Sequence, residues 1–417
     1  MSSDRDSGCR LEADLRWTGY TALMGLDVAA IQATLKTEGL DGWLFYDFHG
    51  SNPIATRIVG TAHSGKLATR RWFYLVPATG EPRGLVHAIE RRTLDAVPGV
   101  KTAYAGRRQL DDELTRLLGG VKRVAMEYSP DCAIPYISRV DGGTIEAVRR
   151  RGVDVRSSGD LVQRFEACWD EGALASHREA SAALYRVKDR AFDSVARRVR
   201  GRVATTEYDI QRQMSGWFRD EGLVSDSPPV VAAQENAGNP HYLPTESQHR
   251  RIGPNELVLL DLWGKQDRNP SAVYADITWV GFTGRDVPHE VGEVFDAVKT
   301  ARDAAATLAQ DAARDQRDLR GWQVDRAARE VLEKAGYGDR ILHRTGHNLG
   351  REVHGNGVHM DDYESHDDRR LLPGTGFTIE PGLYFESFGV RSEINLFFGT
   401  GEAVITGPAQ TEIVKLV

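Results

Sequence analysis

The chain has 417 residues, of which 41% are apolar and 27% charged, with a formal net charge of −7. That length favours two folded units over one, and the composition excludes a disordered or fibrous protein. The modest negative charge argues against nucleic acid as the main partner.

The three cysteines, Cys9, Cys132 and Cys168, form no CxxC pair and no disulfide framework, so a reducing compartment is expected. The first 17 residues lack the apolar segment of a signal peptide. No apolar run is long enough to cross a bilayer. A soluble, cytoplasmic protein is therefore expected, with no membrane partner and a frayed N-terminal tail of about 15 residues.

Taken in chain order, Val28 to Glu38 has helical periodicity, and Gly42 to Tyr46 suits a buried strand. Trp72 to Val76 and Gly84 to His87 read as a hairpin around the turn-like Thr79 to Pro82. Strands are expected at Val121–Glu127 and Val153–Val155, and helices at Leu110–Leu118 and Gly143–Arg151. Alternation at this spacing implies a three-layer α/β unit. No residue cluster in it points to catalysis. Arg149 to Arg151, and later Arg369-Arg370, read as solvated surface.

Near residue 165 the texture changes, dividing the chain into 1–165 and 166–417. Helices are expected over Glu171–Arg200 and over Thr206–Glu221, where Thr206 and Asp209 have capping-box spacing. Further helices run from His289 to Ala313 and from Trp322 to Ala335. Strands are expected at Leu257–Leu262, Ala275–Phe282, Gly376–Ile379 and Arg391–Phe398. Helices on one mostly antiparallel sheet make this half α+β.

Five of the twelve histidines fall between residues 343 and 366. The glycines beside His343 and His347 argue for an irregular segment, either a polar surface loop or a backbone that approaches a ligand closely. Four acids carry more information. Asp261, Asp276, Glu380 and Glu393 each lie within or end a run fit for burial. A buried carboxylate needs a cation, and Arg391 alone is too little for four. Divalent ions would suffice, and oxygen donors with an imidazole suit Mn, Co or Zn. Tyr384 and Trp263 read as core residues.

Asp, Asp, Gly-His, Ile-Glu-Pro-Gly and a last Glu, in this order, resemble the M24 metallopeptidases, in particular the Xaa-Pro dipeptidase (prolidase) and aminopeptidase P branch. The resemblance implies an α+β pita-bread catalytic domain over 166–417, preceded by an α/β creatinase/prolidase-type domain over 1–165. It implies two divalent metal ions held by Asp261, Asp276, His347, Glu380 and Glu393, and hydrolysis of Xaa-Pro bonds by an activated water that bridges them. Glu380 would move protons. His241 and His354 would steady the oxyanion and contact substrate, His343 would assist catalysis, and Arg391 would bind substrate. A homodimer acting on peptides is implied as well. A creatinase-like hydrolase of a non-peptide C–N bond, and an inactive binding module, remain as alternatives. The span from Asp261 to Asp276 is longer than the family's hairpin and is expected to form an enlarged loop at the site mouth. The segment following His354 also departs from the family pattern.

Overall fold

The computed structural model describes residues 26–61, 68–269 and 271–417; the predicted N-terminal tail and Cys9 lie outside these. The N-terminal half contains helices α1 (Val28–Thr37), α2 (Pro53–Val59), α3 (Arg107–Leu117), α4 (Gly142–Arg149) and α5 (Gly159–Val162). Its strands are β1 (Gly42–Asp47), β2 (Trp72–Pro77), β3 (Arg83–His87), β4 (Val100–Tyr104), β5 (Arg123–Met126) and β6 (Asp154–Ser157). They form one mixed sheet in the order β4-β3-β2-β1-β5-β6. β1 and β2 read as unbroken apolar runs because both faces are covered. Trp43, Phe45 and Tyr74 pack with Ile31, Leu35, Ile54 and Ile58 on one face. Leu44, Phe73 and Leu75 pack with Leu110, Leu114 and Ile145 on the other. The expected three layers and the β2–β3 hairpin are present, while α2 and β4 were not anticipated.

The C-terminal half opens with α6 (Glu171–Arg200) and α7 (Glu207–Asp220). Asp170 caps the first by accepting from Ala173 N at 2.7 Å. Thr206 and Asp209 close a reciprocal capping box on the second, which satisfies donors the helix itself cannot. After β7 (Leu223–Val224) and β8 (Val230–Ala233) comes a hairpin of β9 (Leu257–Gln266) and β10 (Ala275–Phe282). Helices α8 (His289–Arg314) and α9 (Gly321–Lys334) follow, and then β11 (Asn348–Leu349), β12 (Thr375–Ile379), β13 (Gly382–Tyr384), β14 (Gly389–Arg391), β15 (Ile394–Phe398), β16 (Ala403–Ile405) and β17 (Val414–Lys415).

These strands do not make one sheet. β17-β10-β9-β7, with β8 also on β9, form one; β11-β12-β15-β16 form another; β13 and β14 make a ribbon. The strand expected from Arg391 to Phe398 is broken at Ser392-Glu393, where the chain leaves the ribbon for the second sheet. Nor does an enlarged loop span Asp261 to Asp276. β9 continues to Gln266, where Leu223 pairs with it, and Asp276 pairs with Trp263; much of the extra length is ladder. Leu257, Leu259, Val280 and Phe282 pack with α8 and α9 on one face of this hairpin. Val258, Leu260, Leu262 and Ile277 pack with α6 and α7 on the other.

Candidate metal centre

Side chains alternate across a strand, so Asp261 lies on the same face as Leu257 and Leu259, and Asp276 on that of Thr278 and Val280. Thr278 is paired directly with Asp261, and the two acids are therefore diagonal neighbours where the apolar face ends. His347 and Glu380 arrive from the second sheet. The Thr378 hydroxyl accepts from His347 N at 2.9 Å and donates to Glu380 Oε1 at 3.0 Å. Glu380 N donates to Thr345 O at 2.7 Å. Glu393 sits at the break between β14 and β15, and its N–H donates across to Thr278 O at 3.1 Å.

One donor atom each from Asp276, His347 and Glu393 lie within 4.8 Å of one another. His347 Nε2 is 3.2 Å from Glu380 Oε1 and 3.6 Å from Asp276 Oδ2. Asp261 joins through Thr278, whose hydroxyl is 3.1 Å from Asp261 Oδ1 and 2.9 Å from Glu393 Oε2. Asp261 is also ion-paired with Arg391. Arg391 further donates from Nε to Thr278 and from Nη1 to Tyr384, each at 3.0 Å. Each of its three nitrogens is thus engaged behind the acids.

The electrostatics follow from crowding. Burial first, then the neighbouring acids, push Asp276 and Glu393 well above the ordinary carboxylate range. Burial also raises Asp261, although Arg391 opposes it. On Glu380 burial acts upward too, but the hydrogen bond and charge of His347, with His343 and Arg391, outweigh it and hold this acid down. Two buried oxygens, Asp276 Oδ1 and Glu393 Oε1, find no hydrogen-bond partner among the described residues. Buried carboxylate oxygens without partners are costly.

Asp261, Asp276 and Glu380 open onto a cavity of about 560 Å³. His241, His343, His354 and Arg391 all line it, as does His347. The rings of His354 and His347 meet edge to face with centroids 4.3 Å apart. The charge of His347, then burial, push His354 down to about 3, so this ring is neutral at ordinary pH. His343 Nε2 lies 2.6 Å from the Tyr384 hydroxyl. The other two clustered histidines stand apart from the cavity lining: His359 is buried against Tyr136, with ring centroids at 4.1 Å, and His366 bonds Asp362 at the surface.

Trp263, expected in the core, lines the cavity and donates to Asp226 Oδ1 at 2.7 Å; it lies two residues from Asp261 and so shares its face. Arg369, expected at the surface, is buried, where it pairs with Asp367 and donates to the carbonyls of Asn356 and Gly357. Thr278, Thr378, Arg344 and Tyr136 were not foreseen. The last comes from the N-terminal half, and no local pattern announces it.

The model of metallopeptidase family M24 matches residues 175–398. The Xaa-Pro dipeptidase of Lactobacillus helveticus is 32% identical over 206 residues, covering 48% of this chain and 49% of the relative. A probable dipeptidase, PepE, of Mycobacterium tuberculosis is 28% identical over 236 residues, 56% of each. The chain spans about half the length of the curated relatives it matches. Among solved structures, dipeptidase PepE from Mycobacterium ulcerans superposes with a TM-score of 0.67 at 20% identity, over 93% of this chain and 96% of that one. The prolidase from Pyrococcus horikoshii OT3 gives 0.57 at 19%, over 93% and 99%. At these identities the structural likeness is one of fold, the two-part pita-bread architecture.

Proposed function

Because this chain belongs to metallopeptidase family M24, we propose that it is an exopeptidase hydrolysing Xaa-Pro bonds, with Asp261, Asp276, His347, Glu380 and Glu393 holding two divalent ions. The observation that carries this reading is the pair of buried oxygens, Asp276 Oδ1 and Glu393 Oε1, that no hydrogen bond among the described residues reaches. Both acids belong to the three-residue donor cluster with His347. Carboxylates with one imidazole are a fitting donor set for Mn, Co or Zn. Such ions supply Lewis acidity, polarising a carbonyl and bringing the pKa of a water towards neutrality.

The protein's own groups do the rest. Glu380, kept ionised beside His347, takes the proton of the attacking water on a carboxylate oxygen and delivers it to the leaving nitrogen as the C–N bond breaks. His354, neutral and on the cavity wall, donates an N–H to the carbonyl oxygen as it gains charge, and His241, which lines the same cavity, serves likewise. Arg391 holds Asp261 and Tyr384 in place from behind, and Tyr384 in turn orients His343. An intact donor set favours this reading over a metal-free C–N hydrolase or an inactive binding module.

The same reading divides the chain at about residue 165 and includes a homodimer in a reducing cytoplasm. Light scattering on the purified protein tests the dimer. The activity test uses chelator-stripped protein reloaded with Mn, Co or Zn and offered Gly-Pro, Ala-Pro-Ala and Met-Ala-Ser. Metal-dependent release of the first residue from either proline peptide is expected, and cleavage of neither sinks the reading. Asp276→Ala is expected to lose bound metal by elemental analysis and activity together, the latter on the order of a thousandfold.

A further inference from the structure

Two arginines line the cavity, and their situations differ. Arg391 is committed to Asp261, Thr278 and Tyr384. Arg344 is 8% exposed, yet among the described residues its guanidinium makes one hydrogen bond, from Nη2 to the Tyr136 hydroxyl at 3.1 Å. The Tyr136 ring also lies beneath it, 5.3 Å from centroid to the guanidinium carbon.

The nearby acids do not take up the remaining donors. Asp361 Oδ2 is 3.8 Å from Nη1, too far for a hydrogen bond. That carboxylate already accepts from the backbone N–H of Tyr363, Glu364 and Ser365 and from the Ser365 hydroxyl. Glu364 accepts from the backbone N–H of Arg344 rather than from its side chain. A guanidinium presents five donors in a planar fork, and among the described residues most of those of Arg344 meet no hydrogen-bond acceptor, its charge being faced by Asp361 at ion-pair distance. The fork matches a carboxylate with two parallel bonds.

The cavity places this cation in the same space as the acids of the metal centre and His354. Apart from Arg391, whose nitrogens are engaged by Asp261, Thr278 and Tyr384, the other charged lining residues are the acids, Asp226 and Glu364 among them, so Arg344 is the member suited to a negative group on a peptide. In a dipeptide that group lies a single residue beyond the scissile carbonyl. Resting on the exopeptidase reading above, we propose that Arg344, braced by Tyr136, binds the free C-terminal carboxylate of the substrate and makes dipeptides the preferred class.

The test compares Ala-Pro, Ala-Pro-amide and Ala-Pro-Ala on Mn-loaded enzyme. The wild type is expected to favour the free acid over the amide in kcat/KM by about 10- to 100-fold, the span of a charge-assisted hydrogen bond, chiefly through KM. In Arg344→Met that ratio falls close to one, and in Arg344→Lys part of it returns. Tyr136→Phe, which removes one hydroxyl, lowers the ratio in the same direction and decides the matter should Arg344→Met fail to fold. A wild type indifferent to the amide, a preference that survives in Arg344→Met, or faster cleavage of Ala-Pro-Ala overturns the carboxylate site while the Xaa-Pro reading stands. Inactivity on all three peptides overturns both.

Discussion

Thr278 shows how much of the candidate centre depends on one hydroxyl. Its Oγ1 accepts from Arg391 Nε and reaches both Asp261 Oδ1 and Glu393 Oε2. A hydroxyl has one proton to donate, so it bonds one acid at a time while holding both in register with the arginine. Residues that orient metal ligands in this way typically affect affinity by about 10- to 100-fold. Thr278→Val keeps the shape and removes the hydroxyl. Its metal affinity, titrated into chelator-stripped protein, is expected to weaken by that factor with the fold intact, whereas Thr278→Ser stays close to the wild type. Equal affinities in Val and wild type would show the hydroxyl to be idle.

At the level of elements, the centre is a meeting of two sheets, and Gly346 sets how closely they meet. A Cβ on it would run into the carbonyl oxygen of Thr378, the residue whose hydroxyl positions His347 and Glu380. Gly346→Ala must therefore shift His347, and a displacement of about an ångström at a reacting centre costs roughly a hundredfold. A fall of that size in kcat, with the circular dichroism spectrum retained, is the expected result. The same scale explains what was legible beforehand. The five candidate ligands stood out because each acid lies within or ends a run otherwise fit for burial and because Gly346 precedes His347. The β9 end did not, since Trp263-Gly264-Lys265-Gln266 reads as loop until Leu223 supplies its partner. The break at Ser392-Glu393 was hidden for a similar reason, as apolar residues continue on both sides. Arg344 and Tyr136 were invisible because their meaning arises only from contact between distant segments.

Across the whole molecule, the two halves are tied by polar contacts. Arg57 pairs with Glu166 and, at 3.0 Å, with Glu352. Gln163 Nε2 donates to Arg370 O at 2.7 Å, and Arg370 pairs with Glu38. Stability of the N-terminal half has its own titrating group. Glu127 is fully buried and accepts from Trp43, Asn52 and Ser158. Burial nevertheless pushes its carboxyl up from 4.5 to about 7. A folded-state value above the unfolded one means the folded form prefers the protonated acid. The resulting stability is fully present below pH 4.5, declines as pH rises through 7, and is then constant. Glu127→Gln has no such titration. Its urea-unfolding free energy relative to wild type is expected to improve by about 3 kcal/mol across that window, and a difference independent of pH would contradict it.

The order of the five proposed ligands along the chain has a consequence for synthesis. Asp261 and Asp276 share a hairpin and come together as soon as β10 is made, but His347, Glu380 and Glu393 are supplied by segments far downstream. A growing chain that ends after the hairpin presents two like charges side by side without the His347 imidazole, a weak claim on any cation. On the five-ligand reading proposed above, the set is complete only once Glu393 has crossed to Thr278, so the unfinished polypeptide would lack the site until the cavity exists to enclose it.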